Sequence, residues 1–192
     1  QTKLNSKVSF AGIFYFFRLA CSLFKSKQVA FCLVVLLVLT PRLFAHSFFN
    51  PKDTLFLAFF VTSFYYLRAS LKDFKPSHVF LFALVSAFTI NIRILGVLLW
   101  GLFGLGLLLK RLPIIEVMFK SIITLLLSYG ILYLTWPLLW EDPLNLLYSF
   151  THLSNYPWTG DVLFMGDFIS SLNLPWYYSI VWIGITTPIV YL

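Results

Sequence analysis

Apolar runs of about the length of a membrane-crossing helix recur along the whole chain, separated only by short clusters of charge and proline. A spanning helix needs about 20 predominantly apolar residues. The runs are Val8–Phe24, interrupted by Arg18; 29–45, closed by Thr40, Pro41 and Arg42; 54–67; 117–134, ending at Trp136 and Pro137; and a last one from Tyr177 onward. The stretch 76–109 is too long for one span and is broken by Asn91, Ile92 and Arg93, so it reads as two segments, 78–90 and 94–109. The first of these is short enough for a half-helix, which a bilayer tolerates only against protein or a wet cavity. Composition agrees: 60% of residues are hydrophobic and 11% charged, against about 45–50% and about 25% in soluble domains. An ordinary water-soluble domain is excluded. The 22 Phe suit helices facing acyl chains and exclude a disordered chain. The expected fold is an all-α polytopic membrane protein, a bundle of about six transmembrane or half-membrane helices. One transmembrane unit covers 1–192, with a long outer-side segment at 139–176.

Fourteen Lys and Arg against seven Asp and Glu give a net charge of +7. The bases sit in short clusters between apolar runs, so membrane topology accounts for them better than nucleic-acid binding. Placing the first loop inside puts Lys25, Lys27, Arg68, Lys72, Lys75, Lys110, Arg111 and Lys120 on the cytoplasmic side. Arg42, Lys52 and Arg93 fall outside with Asp53, Glu141, Asp142, Asp161 and Asp167. This orientation satisfies the positive-inside bias, and Trp136, Trp140, Trp158 and Trp176 land on the outer interface. The chain begins with Gln, its first apolar run starts almost at once, and its last run ends without a polar flank. It therefore reads as an internal piece truncated at both ends. With no long hydrophilic domain, a bacterial inner membrane is the expected location.

Candidate chemistry gathers on the outer side. One polar knot spans 41–53 and contains His46, Asn50, Lys52 and Asp53; a second is the Asn91/Arg93 break. Ionisable groups at membrane depth are costly and point to function. Arg93 lies midway along an apolar stretch, where a guanidinium needs a carboxylate, backbone carbonyls or an anionic ligand. Asp53 follows Pro51 into the first turn of a helix, where the dipole favours an acid and a carboxylate can cap free N–H groups. Asn50, Lys52 and Asp53 together nevertheless exceed what a cap requires. One histidine seven residues from one carboxylate is no metal motif, so His46 is only a cavity candidate. His152 shares the outer segment with Asp161 and Asp167, but their spacing does not support an acid–base pair. His78, beside Pro76, is expected at a helix start. Cys21 and Cys32 lack CxxC spacing and are expected as buried thiols, and Gly101, Gly104 and Gly106 as sites of close helix packing. No metal is assigned and divalent-metal use is left open; no nucleotide-binding glycine motif or nucleophile elbow occurs.

The run Pro41-Arg42-Leu43-Phe44-Ala45-His46-Ser47-Phe48-Phe49-Asn50-Pro51-Lys52-Asp53, followed by an aromatic helix, resembles a segment of integral-membrane GT-C glycosyltransferases. More narrowly, it is similar to bacterial relatives of protein O-mannosyltransferases and of the lipid A aminoarabinose transferase. In those, a Pro begins an outer-side turn and an Asp opens the next helix. Asn91-Ile92-Arg93-Ile94-Leu95-Gly96 resembles the family's basic-residue-then-Gly stretch. Leu174-Pro175-Trp176-Tyr177-Tyr178, followed by Thr186-Thr187-Pro188, resembles the end of an outer loop entering the next span. The resemblance covers about 29–192 and rests on order and spacing. It implies a polyprenyl-phosphate-linked sugar donor, transfer at the outer face and inversion at the anomeric carbon. The family's catalytic acid sits in the first outer loop, before the part this chain resembles, so only the secondary acidic position, Asp53, carries over.

The expected function is glycosyl transfer from a polyprenyl-phosphate-linked donor at the outer face of a bilayer, with the isolated piece inactive for want of the base. Lys52 and Arg93 would hold the donor phosphate, Asp53 would orient the acceptor or a cation, and His46, Asn50 and Asn91 would line the substrate cavity. The acceptor stays open between protein, lipid and glycan. The alternative is a transporter or flippase-like carrier of an anionic or lipid-linked substrate, which shares broken helices and buried charge. No inverted repeat is visible, and the segment between Trp140 and Tyr177 is long for a carrier loop.

Overall fold

The computed structural model describes residues 2–41, 43–45, 50–154 and 159–187. Six principal helices follow one another among these: α1 (Thr2–Phe24), α2 (Lys27–Leu39), α3 (Pro51–Asp73), α4 (Pro76–Ile92), α5 (Leu98–Leu109) and α6 (Ile114–Thr135), with a 3-10 turn at Ile94–Val97 between α4 and α5. Two short helices come next, α7 (Leu138–Glu141) and α8 (Asn145–Ser154). A hairpin of β1 (Asp161–Phe164) and β2 (Asp167–Ser170) and a final helix α9 (Tyr178–Thr186) complete the described chain. Two of the helices, α3 and α6, are long and apolar enough to cross a membrane. The described chain is all-α as expected apart from this short hairpin, which lies in the 139–176 segment. Its turn, Met165-Gly166, holds two positive φ angles, 55° and 102°, as a two-residue hairpin loop requires.

Local chemistry sets the helix limits. Ser26 caps α2 by accepting a hydrogen bond from the Val29 N–H at 3.4 Å, and Pro51 and Pro76 occupy first-turn positions where no N–H is needed. Pro41 forces Thr40 out of the helical region, to ψ 115°, so α2 stops at Leu39 although the apolar run continues to Ala45. Helix α1 starts at Thr2, ahead of its apolar run, and brings Lys3 and Lys7 to the end of the helix opposite Lys25. The run at 54–67 becomes a 23-residue helix because its polar flanks remain helical. The segment at 78–90 is part of a 17-residue helix, α4, which packs between α3 and α6 and is shorter than the two helices long enough to cross a membrane.

Helices α1 and α3 run parallel, with Gly12 against Ala58 and, further along, the Arg68 guanidinium donating to the Ser22 carbonyl at 3.3 Å. Helices α4 and α5 form an antiparallel hairpin in which Phe82 stacks on Phe103 at 5.2 Å between ring centres and the Trp100 indole donates to Ser86 Oγ at 3.4 Å. Leu67, Phe82, Leu99, Phe103, Leu107 and Val117 make one core cluster; Ala87, Ile90, Leu132, Leu139 and Leu146 make a second. Hydroxyls join helices directly, as in the buried Ser63–Thr89 pair at 3.0 Å and the half-buried Tyr15–Tyr66 pair at 2.7 Å. Such bonds are the expected adhesive where apolar side chains alone give little specificity.

This alternation places the turns after α1, α3 and α5 at one end of the bundle. Lys110 Nζ donates to the Leu71 carbonyl, and Lys120 Nζ sits 5.0 Å from the Phe74 ring centre at that same end. Asn50, Arg93 and Trp136 occupy the other end. The flanks are apolar and uncovered: Ile115 is 79% exposed, Leu126 67% and Leu134 73% on α6 alone.

Two small-residue expectations are corrected. Cys32 is exposed and Cys21 half-buried, because each lies on a helix flank that meets no neighbour closely enough to cover it. Of the α5 glycines, only Gly106 is in close packing, where a Cβ would collide with the Leu71 side chain; Gly101 and Gly104 face open space. The tight crossing is at Gly12, where a Cβ would lie 2.6 Å from Ala58 Cα. Gly12→Ala should therefore push α1 from α3 and cost about 1–3 kcal/mol, whereas Gly101→Ala should leave stability nearly unchanged. Thermal unfolding of the detergent-purified variants checks both.

Candidate functional site

The α3 N-terminus is built from four consecutive residues. Asn50 Oδ1 accepts from the Asp53 N–H at 3.4 Å, and Asn50 Nδ2 donates to Asp53 Oδ2 at 2.6 Å. This is a reciprocal cap with the acid at the third helical position. Asn50 is thus the cap, and Asp53 stands in the first turn as expected, its second oxygen, Oδ1, left to accept from the Arg93 guanidinium.

Arg93 reaches that oxygen because α4 ends there. Its backbone is extended, with φ −147°, while its N–H still donates to the Thr89 carbonyl at 3.0 Å. Its own carbonyl accepts from Gly96 N–H at 2.9 Å, drawing the 3-10 turn back across the end of α4. Gly96 is required: a Cβ there would lie 2.8 Å from Ile90 N and 2.9 Å from the Thr89 carbonyl carbon. Asn91 Nδ2 donates to Thr135 Oγ1 at 2.7 Å, pinning the end of α4 to the end of α6. The two polar knots, 40 residues apart, therefore meet as one Asn50–Asp53–Arg93 chain.

The Arg93 and Asp53 side chains are 45% and 31% exposed, so their pair sits at a wet edge. An ion pair there contributes about 0.2–1 kcal/mol. Its consequence is geometric: it orients one guanidinium, which has five N–H donors, and leaves most of them for another anion.

A cavity of about 1030 Å³ opens beside the pair. Lys52, Asn91 and Arg93 line one wall; Trp136, Leu138, Asn145, Tyr148, Ser149, Thr151 and His152 line the other. The second wall is anchored by Tyr129 Oη donating to the Pro143 carbonyl at 2.7 Å, Trp140 Nε1 to the Tyr133 carbonyl at 2.6 Å, and Asn145 Nδ2 to the Leu138 carbonyl at 2.8 Å. Leu146 seats α8 in the second core cluster. Lys52 and Arg93, the latter held by Asp53, supply two positive charges against one carboxylate, so the cavity suits an anion.

Of the residues expected at the site, Asn50, Lys52, Asp53, Asn91 and Arg93 lie together, and His46 falls outside the described residues, as does Arg42. Asn145, Ser149 and His152, unassigned from the sequence, share a cavity-facing side of α8, and their four- and three-residue spacing was the available signal. His78 does start a helix, and its Nδ1 pairs with Asp73 at 3.0 Å. Among the described residues no group of three or more His, Cys, Asp and Glu could hold a metal ion. A smaller, apolar cavity of about 280 Å³ lies between α1, α2 and α3. No family model, no curated protein and no solved structure matches the chain.

Removing the cap by Asn50→Ala should cost about 1 kcal/mol. In a double-mutant cycle, Asp53→Ala and Arg93→Ala should be non-additive by about 0.5–1 kcal/mol. Chemical unfolding of the four species of the cycle and of Asn50→Ala in detergent micelles measures both quantities.

Proposed function

We propose that the chain crosses a bilayer several times and carries the donor site of a glycosyltransferase that takes its sugar from a polyprenyl-phosphate-linked donor. Its location is a bacterial inner membrane, with the Arg93 end of the bundle outward. The observation that carries this reading is the Asp53–Arg93 pair standing with Lys52 at one cavity wall, at the end of the bundle opposite the basic turns. The uncovered apolar flanks support the bilayer, since water would not tolerate patches of that extent. The charge asymmetry between the two ends supports the orientation.

A polyprenyl-phosphate donor keeps its lipid in the bilayer and presents its anionic head at the interface, where Lys52 and Arg93 stand. During transfer the bond from the anomeric carbon to the phosphate oxygen breaks, and a bond to the acceptor oxygen or nitrogen forms on the opposite face. The electron pair of the broken bond goes to the phosphate, and the acceptor's proton goes to a base. Lys52 and Arg93, the latter preset by Asp53, stabilise the charge that grows on the phosphate. Asp53 holds the Arg93 fork in position and is a positioning residue in this scheme. Asn91 and the α8 wall enclose the sugar.

Binding of a short-chain polyprenyl-phosphate-linked sugar by the protein in nanodiscs, followed through fluorescence of the cavity-lining Trp136, tests this directly. Arg93→Gln and Lys52→Gln should each weaken binding by about one to two orders of magnitude, the loss of a charge-assisted contact worth roughly 1.5–3 kcal/mol. Arg93→Lys should recover only part, because a point charge does not reproduce the planar fork. Unchanged affinity in both glutamine variants would refute the donor site.

A further inference from the structure

At the opposite end of the bundle, two arginines share the seam between α1 and α3. The Arg18 guanidinium lies 5.0 Å from the Tyr65 ring centre and 5.8 Å from that of Phe14. Arg68, nearly one turn after Tyr65 on α3, donates one N–H to the Ser22 carbonyl, one turn after Arg18 on α1. The two arginines are therefore offset by about one helical turn along this seam, and both are exposed. Neither has a carboxylate within ion-pair distance among the described residues. The carboxylates at this end are Asp73 and Glu116, and each is already held: Asp73 by Lys75 at 3.2 Å and by His78, Glu116 by Lys120.

Arg18 is also displaced from the end. It lies six residues before the last residue of α1, about 9 Å along the helix axis. Its guanidinium lies over the Tyr65 ring, a cation–π contact that engages the charge without an anion. An anion that meets a guanidinium at that depth on an apolar flank must itself reside at the edge of the hydrocarbon. A phospholipid phosphodiester is such an anion, and basic niches between spanning helices on the cytoplasmic side are suited to it.

We propose that the α1–α3 seam is a binding site for the phosphate headgroup of an anionic phospholipid of the inner leaflet, held by Arg18 and Arg68 with Tyr65 as the platform. The site rests on the membrane reading given above and is independent of the transferase reading.

The full chain is expressed, extracted in detergent, reconstituted in phosphatidylcholine nanodiscs containing a minor fraction of phosphatidylglycerol, and released for native mass spectrometry. Wild type should retain phosphatidylglycerol in preference to phosphatidylcholine. The Arg18→Gln/Arg68→Gln double variant should lose that preference by roughly tenfold or more, the loss expected for charge-assisted contacts to phosphate. A charge-matched control at the same end but off the seam, Lys27→Gln/Arg111→Gln, should keep it. The lysine double variant Arg18→Lys/Arg68→Lys should be intermediate and serves if the glutamine variant fails to fold. No lipid preference in wild type, equal loss in the off-seam control, or displacement of the lipid by millimolar inorganic phosphate would overturn the site. A chain that washes out of the membrane fraction in carbonate would overturn the membrane reading itself, whereas a membrane-resident chain without the preference would overturn only the lipid site.

Discussion

Charged side chains gather towards the two ends of this fold, because the flanks of the bundle are apolar and the helices run from one end to the other. That constraint organises the rest. Cationic side chains at the turn-bearing end donate to backbone carbonyls or sit on rings, as Arg68, Lys110 and Lys120 do. At the opposite end the same economy gathers Asn50, Asp53, Arg93, Asn91 and Thr135 into bonds that link α3, α4 and α6. Arg18, like Lys120, lies about six residues in from its helix end, and it sits over the Phe14 and Tyr65 rings.

Much of this was legible in the sequence. The breaks between helices follow charge and proline, and the split of 76–109 at Asn91 and Arg93 is where α4 ends. What the sequence did not reveal depends on packing across long separations. Nothing local says that Asp53 and Arg93 meet, since their contact requires α3 and α4 to turn at Phe74, which adopts a left-handed conformation at φ 46°. The Asn50 cap was hidden because Asp53 is an equally good capping type, and only geometry decides which residue precedes the helix. The glycines show the same limit. Gly106 and Gly12 meet neighbours and Gly101 and Gly104 do not, although spacing treats the three α5 glycines alike.

The candidate site gains its form from elements that carry no charge. Gly96 lets the chain fold against the last turn of α4, which sets the direction of Arg93. Leu139 and Leu146 seat α7 and α8 on the ends of α4 and α6, and so turn an open helix end into a cavity of about 1030 Å³. A polar wall on α8 facing a cationic wall on α3 and α4 is an arrangement that can receive an anionic head with a polar body attached. The proposed phosphate-linked sugar is such a molecule.

The central claim is that the two polar ends lie on opposite sides of a bilayer, with the Arg93 end outward. Single cysteines at Glu141 and at Lys72, both exposed, in a background carrying Cys21→Ala and Cys32→Ala, test it in intact cells with a membrane-impermeant thiol reagent. A bundle that spans the membrane in the proposed orientation predicts labelling at position 141 from outside, and at position 72 only after permeabilisation. Labelling of both positions from the same side would contradict the spanning bundle, and labelling of position 72 alone from outside would reverse the orientation and place the cavity on the cytoplasmic face.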